Sequence, residues 1–257
     1  MYLAMAAALG VAACSKDSTA PAPAALVSDA QVQTDVAQSS GDAMASTVGD
    51  MLAGEGAAAL PSPGFNLFGS PPAGDSVTST RTRACFDANG AVVTNCSPTT
   101  SVRKIVQHVQ IDGTRTGPNY FGAVHRVRDD TTTRNFNTAQ PPVEVSRTHS
   151  SVGTSKDTVN FTDGTVTRIH AESAIDSVRG VTWNLPRANN PFPVAGTIVR
   201  NVTVHASYHS ATRTETKDVT KRVEVDFPAD AQGNVVLKID NKTCNLNLVT
   251  RAVSNCH

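Results

Sequence analysis

Asn201-Val202-Thr203-Val204-His205-Ala206-Ser207-Tyr208 puts Val202, Val204, Ala206 and Tyr208 on one parity and Thr203, His205 and Ser207 on the other. Side chains alternate sides along a strand, so this period of two reads as a strand with one buried and one wet face. The same texture, rich in Val, Thr, Ser and Arg, extends from residue 76 to residue 257, where Leu185, Leu237, Leu246 and Leu248 are the only leucines. That is strand composition. Comparable runs are expected near 76–86, 91–96, 102–112, 121–129, 143–152, 158–173, 177–184, 212–227, 234–240 and 244–253. The turn signals between them, among them Asp112-Gly113, Asp163-Gly164 and Gln232-Gly233-Asn234, are short and imply antiparallel neighbours. Residues 184–196, with Pro186, Asn189, Asn190, Pro191 and Pro193, require a longer loop.

About ten such strands do not stay one flat sheet, because their twist accumulates. The expected fold class is mainly β: an antiparallel meander of about ten strands, closed as a curved sheet, a sandwich or a barrel, with one N-terminal helix. The helix is expected over 28–53. Ser28-Asp29-Ala30-Gln31 has capping-box form, and Val32, Val36, Ala43, Met44, Val48, Met51 and Leu52 recur at helical spacing until Gly54. Gly41 and Gly49 weaken it. Residues 54–75, rich in Gly, Ala and Pro, read as a loop, and residues 28–257 as a single β-rich domain. A curved sheet wrapped about the helix would be similar to the lipoprotein-carrier class of periplasmic proteins, a likeness of element order alone.

Ahead of this domain, an apolar run from Tyr2 to Ala13 ends in Val11-Ala12-Ala13-Cys14 and switches to Ser15-Lys16-Asp17. The run is too short for a permanent transmembrane helix, and small residues before a cysteine suit a signal peptidase. The segment resembles a bacterial lipoprotein signal, although no Lys or Arg precedes the apolar run as that family's pattern has it. The resemblance implies removal of residues 1–13, lipidation of Cys14 and a flexible tether over 14–27. Several acyl chains on one terminus would hold the protein at a membrane. Ser15 stands where Asp retains lipoproteins at the inner membrane, so the resemblance implies the outer membrane, with the domain facing the periplasm or the exterior.

Formal net charge is zero, but residues 1–75 hold one basic against seven acidic side chains, and residues 76–257 hold 21 against 15. The basic residues are scattered singly, which argues against nucleic acid as a partner. Setting Cys14 aside leaves Cys85, Cys96, Cys244 and Cys256, an even number for a chain that folds outside the cytoplasm. Each near pair flanks a hairpin, so Cys85 with Cys96 and Cys244 with Cys256 are the expected disulfides. Asn89-Gly90 marks the turn of the first. Zinc is disfavoured, since neither pair has close C-x2-4-C spacing.

No cofactor motif stands out, and G-x-S-x-G, H-E-x-x-H and P-loop patterns are absent. Ser101-Val102-Arg103-Lys104 has S-x-x-K form, but on a strand its serine and lysine face opposite sides. His205 and His209 share a face yet lie about 13 Å apart, too far for one metal ion. His108, His125, His149 and His170 would form a site only if their registers aligned. Asp129-Asp130, Glu172 with Asp176, and Asp226 are the carboxylates available for hydrolytic chemistry. The expectation is a non-catalytic, lipid-anchored binding domain whose ligand is a lipid, a polymer or an envelope protein. Phe161, Trp183 and Tyr208 are its candidate ligand-lining residues. The alternative is a structural or adhesive surface protein acting through strand pairing.

Overall fold

The computed structural model describes residues 24–53, 76–96, 101–117 and 119–257. The leader 1–13, Cys14, the tether up to residue 23 and the loop 54–75 lie outside the described residues. One helix, α1 (Asp29–Ala53), precedes β1 (Ser76–Phe86), β2 (Val92–Val93), β3 (Lys104–Thr116), β4 (Tyr120–Phe136), β5 (Glu144–Phe161), β6 (Thr167–Asn184), β7 (Ala195–His209), β8 (Thr214–Asp226), β9 (Asn234–Ile239), β10 (Lys242–Asn247) and β11 (Val253–Ser254). All eleven strands form one antiparallel sheet in the order β11-β10-β9-β8-β7-β6-β5-β4-β3-β1-β2, open at both ends and not closed into a barrel.

Contacts with α1 show how strongly the sheet curves. Gly41 lies against Leu237, Leu246 and Val253, the last on β11, while Ser46, little more than a turn further on, accepts a hydrogen bond from Arg115 on β3. These strands stand eight places apart in the sheet, about 38 Å if it were flat, whereas five helical residues span about 7.5 Å. The sheet therefore curls round the helix. Every residue from Ser39 to Val48 is buried, which a helix lying on a flat sheet cannot achieve.

Local signals explain the helix. The Ser28 hydroxyl caps it by accepting the Gln31 N–H at 3.1 Å. Gly41, unfavourable for helix propensity, is required for packing: a Cβ there would meet Val253 Cγ2 at 2.5 Å. The last residues of the expected tether belong to the domain, since Val27 is buried and Leu26 N–H donates to Glu215 Oε2 at 2.9 Å. Both expected disulfides are present, Cys85–Cys96 and Cys244–Cys256.

Several strand boundaries differ from expectation. Asp112-Gly113 is no turn; β3 runs through it, because Gly113 lets the backbone of Ser76 and Val77 pass at a distance no side chain would allow. The run expected at 158–173 straddles the turn between β5 and β6. Residues 167–184 form one strand with an irregularity between Arg179 and Thr182, where Gly180 adopts a φ of 60°. That bulge switches the buried parity from Val178 to Val181 and Trp183.

Candidate functional site

The concave face has two chemically different halves. On β7–β10 it is apolar: Ile198, Val202, Val204, Val223, Val225, Leu237, Ile239 and Leu246 pack with Val32, Val36, Met44, Val48 and Met51 of α1. On β4–β6 the inward positions are mostly polar, and many are charged. Arg126, Arg128, Asp130 and Arg134 of β4, Arg147 and Asp157 of β5, and Arg168, His170 and Glu172 of β6 are all buried.

Strand register builds the centre of this ionic half. Arg128, Gly153, Asp176 and Arg200 stand side by side across β4–β7, and Val124, Asp157, Glu172 and Val204 form a parallel row. Arg200, fully buried, therefore meets three carboxylates. Its Nη1 donates to Asp176 Oδ2 at 2.9 Å and to Ser155 Oγ at 2.9 Å, and its Nη2 approaches Asp157 Oδ2 at 3.2 Å and Glu172 Oε2 at 3.5 Å. Arg126 Nη2 also donates to Asp157 Oδ2, at 3.1 Å. Gly153 keeps the middle of its row open, since a Cβ would sit 2.6 Å from the Val127 carbonyl oxygen and 3.1 Å from Arg128 Cβ. A cavity of about 20 Å3 remains there, bounded by Thr47, Arg126, Arg128, Gly153 and Asp176, with room for about one water molecule.

The helix answers this half with a polar stripe at Asp35, Ser39, Asp42, Ser46 and Asp50. Arg168 Nε donates to Asp35 Oδ2 at 2.8 Å, and Ser39 Oγ donates to Glu172 Oε1 at 2.6 Å. Arg251 pairs with Asp42 at 3.0 Å, Arg115 donates to Ser46, and Arg128 lies 3.8 Å from Asp50. Burial pushes Glu172 up to about 7 despite Arg200 and the Ser39 hydroxyl. Burial acts on Asp157 too, but there Arg126 and Arg200 outweigh it and hold the carboxyl below its ordinary value. Burial, aided by Arg168, pushes His170 down to about 4.

The candidate ligand-lining residues are core. Trp183 and Tyr208 are 0% and 1% exposed in the cluster around α1, and Phe161 packs with Tyr120 and Val159. Ring contacts join Tyr120 to Phe161, Phe161 to His170, and His170 to Tyr208 at 5.9, 4.9 and 6.1 Å. The histidines divide between the faces. His149 and His170 are buried, while His108, His125 and His205 lie on the exposed face, each against the Asp directly opposite: Asp129 at 2.8 Å, Asp112 at 2.5 Å and Asp218 at 2.6 Å. His209 faces Thr214. Among the described residues, no three His, Cys, Asp or Glu side chains gather as a metal site, and no helix is long and apolar enough to cross a membrane. Of the candidate carboxylates, Asp130, Glu172 and Asp176 belong to the ionic half, whereas Asp129 and Asp226 pair with His108 and Lys238 on the outside.

The inward Arg–Asp–Glu face escapes a reading based on apolar alternation, because on β4–β6 both faces are mixed: Phe121, Val152 and Ile175 are exposed, while Val124, Val159 and Ala174 are buried beside the charges. A signal was present in the helix, where Asp35, Ser39, Asp42, Ser46 and Asp50 recur at spacings of four and three. The chain matches no family model, no curated protein sequence and no solved structure.

Proposed function

We propose that the chain is a lipid-anchored protein of the bacterial cell envelope, held at the outer membrane through Cys14, whose β domain binds an envelope protein or polymer with its outer surface and performs no chemistry. One observation carries the surface reading: the groove of the sheet, where a lipid or other apolar ligand would lie, is filled by α1. An apolar ligand would have to displace a helix buried on every side between Ser39 and Val48. The carboxylates that gather, Asp157, Glu172 and Asp176, surround Arg200 rather than a cleft, and the side chains of Arg200 and Glu172 are both 0% exposed. Asp157 and Glu172 offer a substrate no path, and only Asp176 is partly exposed. The two disulfides suit an oxidising compartment, in keeping with the leader.

The test uses the full chain, expressed with its own leader in a Gram-negative host and released from the envelope in detergent. Mass spectrometry under native conditions is expected to show an acylated Cys14, two disulfides and no further phospholipid. A phospholipid retained in stoichiometric amount beyond the anchor would overturn the surface reading. A Cys14→Ser chain that still fractionates with membranes would overturn the anchor.

A further inference from the structure

We propose that the anchored domain rests against the lipid surface with the end of the sheet that carries the β3–β4, β5–β6 and β7–β8 turns, and holds the rim formed by residues 137–143, 185–194 and 227–233 away from it. The proposal rests on the lipid anchor at Cys14 and names the face that meets the membrane. From Asp29 back to Ala24, the partners of the entering chain climb β8 toward the β7–β8 turn. Asp29 pairs with Lys217, Leu26 N–H donates to Glu215 Oε2 at 2.9 Å, and the Ala24 carbonyl accepts from Arg213 Nη2 at 2.5 Å. Val27 is buried among these contacts, so packing as well as polar pairs fixes the course. The described chain therefore begins at that turn.

Tether length excludes the inverted placement. Ala24 stands ten positions after Cys14, a stretch that spans at most about 35 Å when fully extended. The strands β5 and β6, 18 residues each, are about 59 Å long, and still rise about 42 Å if they tilt by about 45° as in a closed barrel. Standing on its far rim, the domain would lift Ala24 beyond the reach of an anchor in the lipid.

The two ends of the sheet are also built differently. Turns at the tether end have three to five residues, and charges there are neutralised in place, Asp163 by Arg168 and Arg213 by Glu215. Such an end approaches anionic headgroups without a charge penalty. Connections at the far rim run to seven, ten and seven residues and brace one another. Ala229 N–H donates to the Pro193 carbonyl at 3.2 Å, Leu248 N–H donates to the Gly233 carbonyl at 2.9 Å, and the Phe192 ring lies against Gly233. Recognition concentrates on loops held by a rigid scaffold, and this rim also exposes Val143, Val145 and Val249. The orientation leaves it open to an envelope partner.

Energy transfer to the lipid surface tests the orientation. The full acylated chain carries Thr212→Cys or Thr165→Cys at the tether end, or Ala188→Cys or Gln140→Cys at the far rim, all four positions being exposed. Each variant is labelled with a fluorescent donor and added to phosphatidylethanolamine–phosphatidylglycerol vesicles that hold an acceptor on the lipid headgroup. Transfer from positions 212 and 165 is expected to exceed that from 188 and 140 several-fold. Equal transfer from the two ends, as from a domain lying on its side, overturns the orientation, and so does stronger transfer from the far rim. In either case a chain that still floats with the vesicles leaves the anchor standing. A chain that separates from the vesicles on flotation overturns the anchor and the orientation with it, so the two readings fail distinguishably.

Discussion

The two halves of the concave face hold the same helix by different means. Across β7–β10 the contact is aliphatic, and burial of each large side chain contributes about 1.5–3 kcal/mol with little directional preference. Across β3–β6 the contact is a set of specific pairs, Arg168 with Asp35, Ser39 with Glu172, Arg115 with Ser46 and Arg128 with Asp50. Buried ion pairs contribute little net stability, because desolvation offsets most of their attraction, but breaking one leaves a charge without compensation. We therefore assign stability to the apolar half and the helix's rotation and register to the ionic half. A helix sliding by one turn would keep an apolar face but misplace Asp35, Ser39 and Asp42 together.

The sharpest way to break this division is at Arg200, where three carboxylates depend on one guanidinium. Arg200→Ala is expected to cost about 3–5 kcal/mol in urea unfolding, since buried Asp157 would keep only Arg126 and buried Glu172 only the Ser39 hydroxyl. A cost below about 1 kcal/mol would show that the ionic half is not sealed. In the apolar half, Leu237→Ala should cost about 2–5 kcal/mol through lost burial and the cavity left behind, with no dependence on salt. Gly41→Leu probes the seam by overpacking against Val253, Leu246 and Leu237, with an expected loss of about 1–3 kcal/mol. A neutral Gly41→Leu would mean that α1 does not lie as close to β9–β11 as described.

The same division explains what could be read from sequence. Strands β7, β9 and β10 follow apolar alternation, and there the inward residues Val202, Val204, Leu237 and Leu246 are those the pattern points to. The antiparallel order, the helix and both disulfides also follow from local signals, since short turns and the Asn89-Gly90 hairpin leave little freedom. On β4–β6 the alternation is equally regular, but charged side chains take inward positions beside apolar ones such as Val124, Val159 and Val178, while Phe121, Val152 and Ile175 face out. Arg126, Arg128, Asp157 and Glu172 point inward because register supplies each with an opposite charge on a neighbouring strand or on the helix. Register is a property of pairs of strands, and no single strand reveals it. The length of β3 was hidden for a related reason: Asp112-Gly113 looks like a turn until the close approach of Ser76 to Gly113 is known.

The smallest expected effect separates the halves by pH. Glu172, buried against Ser39, Arg200 and Asp157 and sharing its strand with His170, titrates near 7 in the folded chain against an ordinary value of 4.5. Between these two values the folded state retains a proton that the unfolded state has released, so Glu172 makes stability fall as pH rises from about 4.5 to about 7. His170 acts in the opposite sense. Its folded value near 4 against 6.5 makes stability fall as pH drops through that interval, and the two slopes largely cancel in the wild type. Glu172→Gln leaves His170 in place and removes only the first slope. Stability of the variant minus that of wild type, from urea titrations at pH 4, 6 and 8, is expected to rise by about 1–3 kcal/mol across the series. A difference that stays constant from pH 4 to pH 8 would mean that Glu172 titrates at its ordinary value in the folded chain. Arg200 and the Ser39 hydroxyl would then offset the burial of Glu172 in full, and the slope of His170 alone would remain, so that the ionic half would lose stability as pH falls from about 6.5 to about 4.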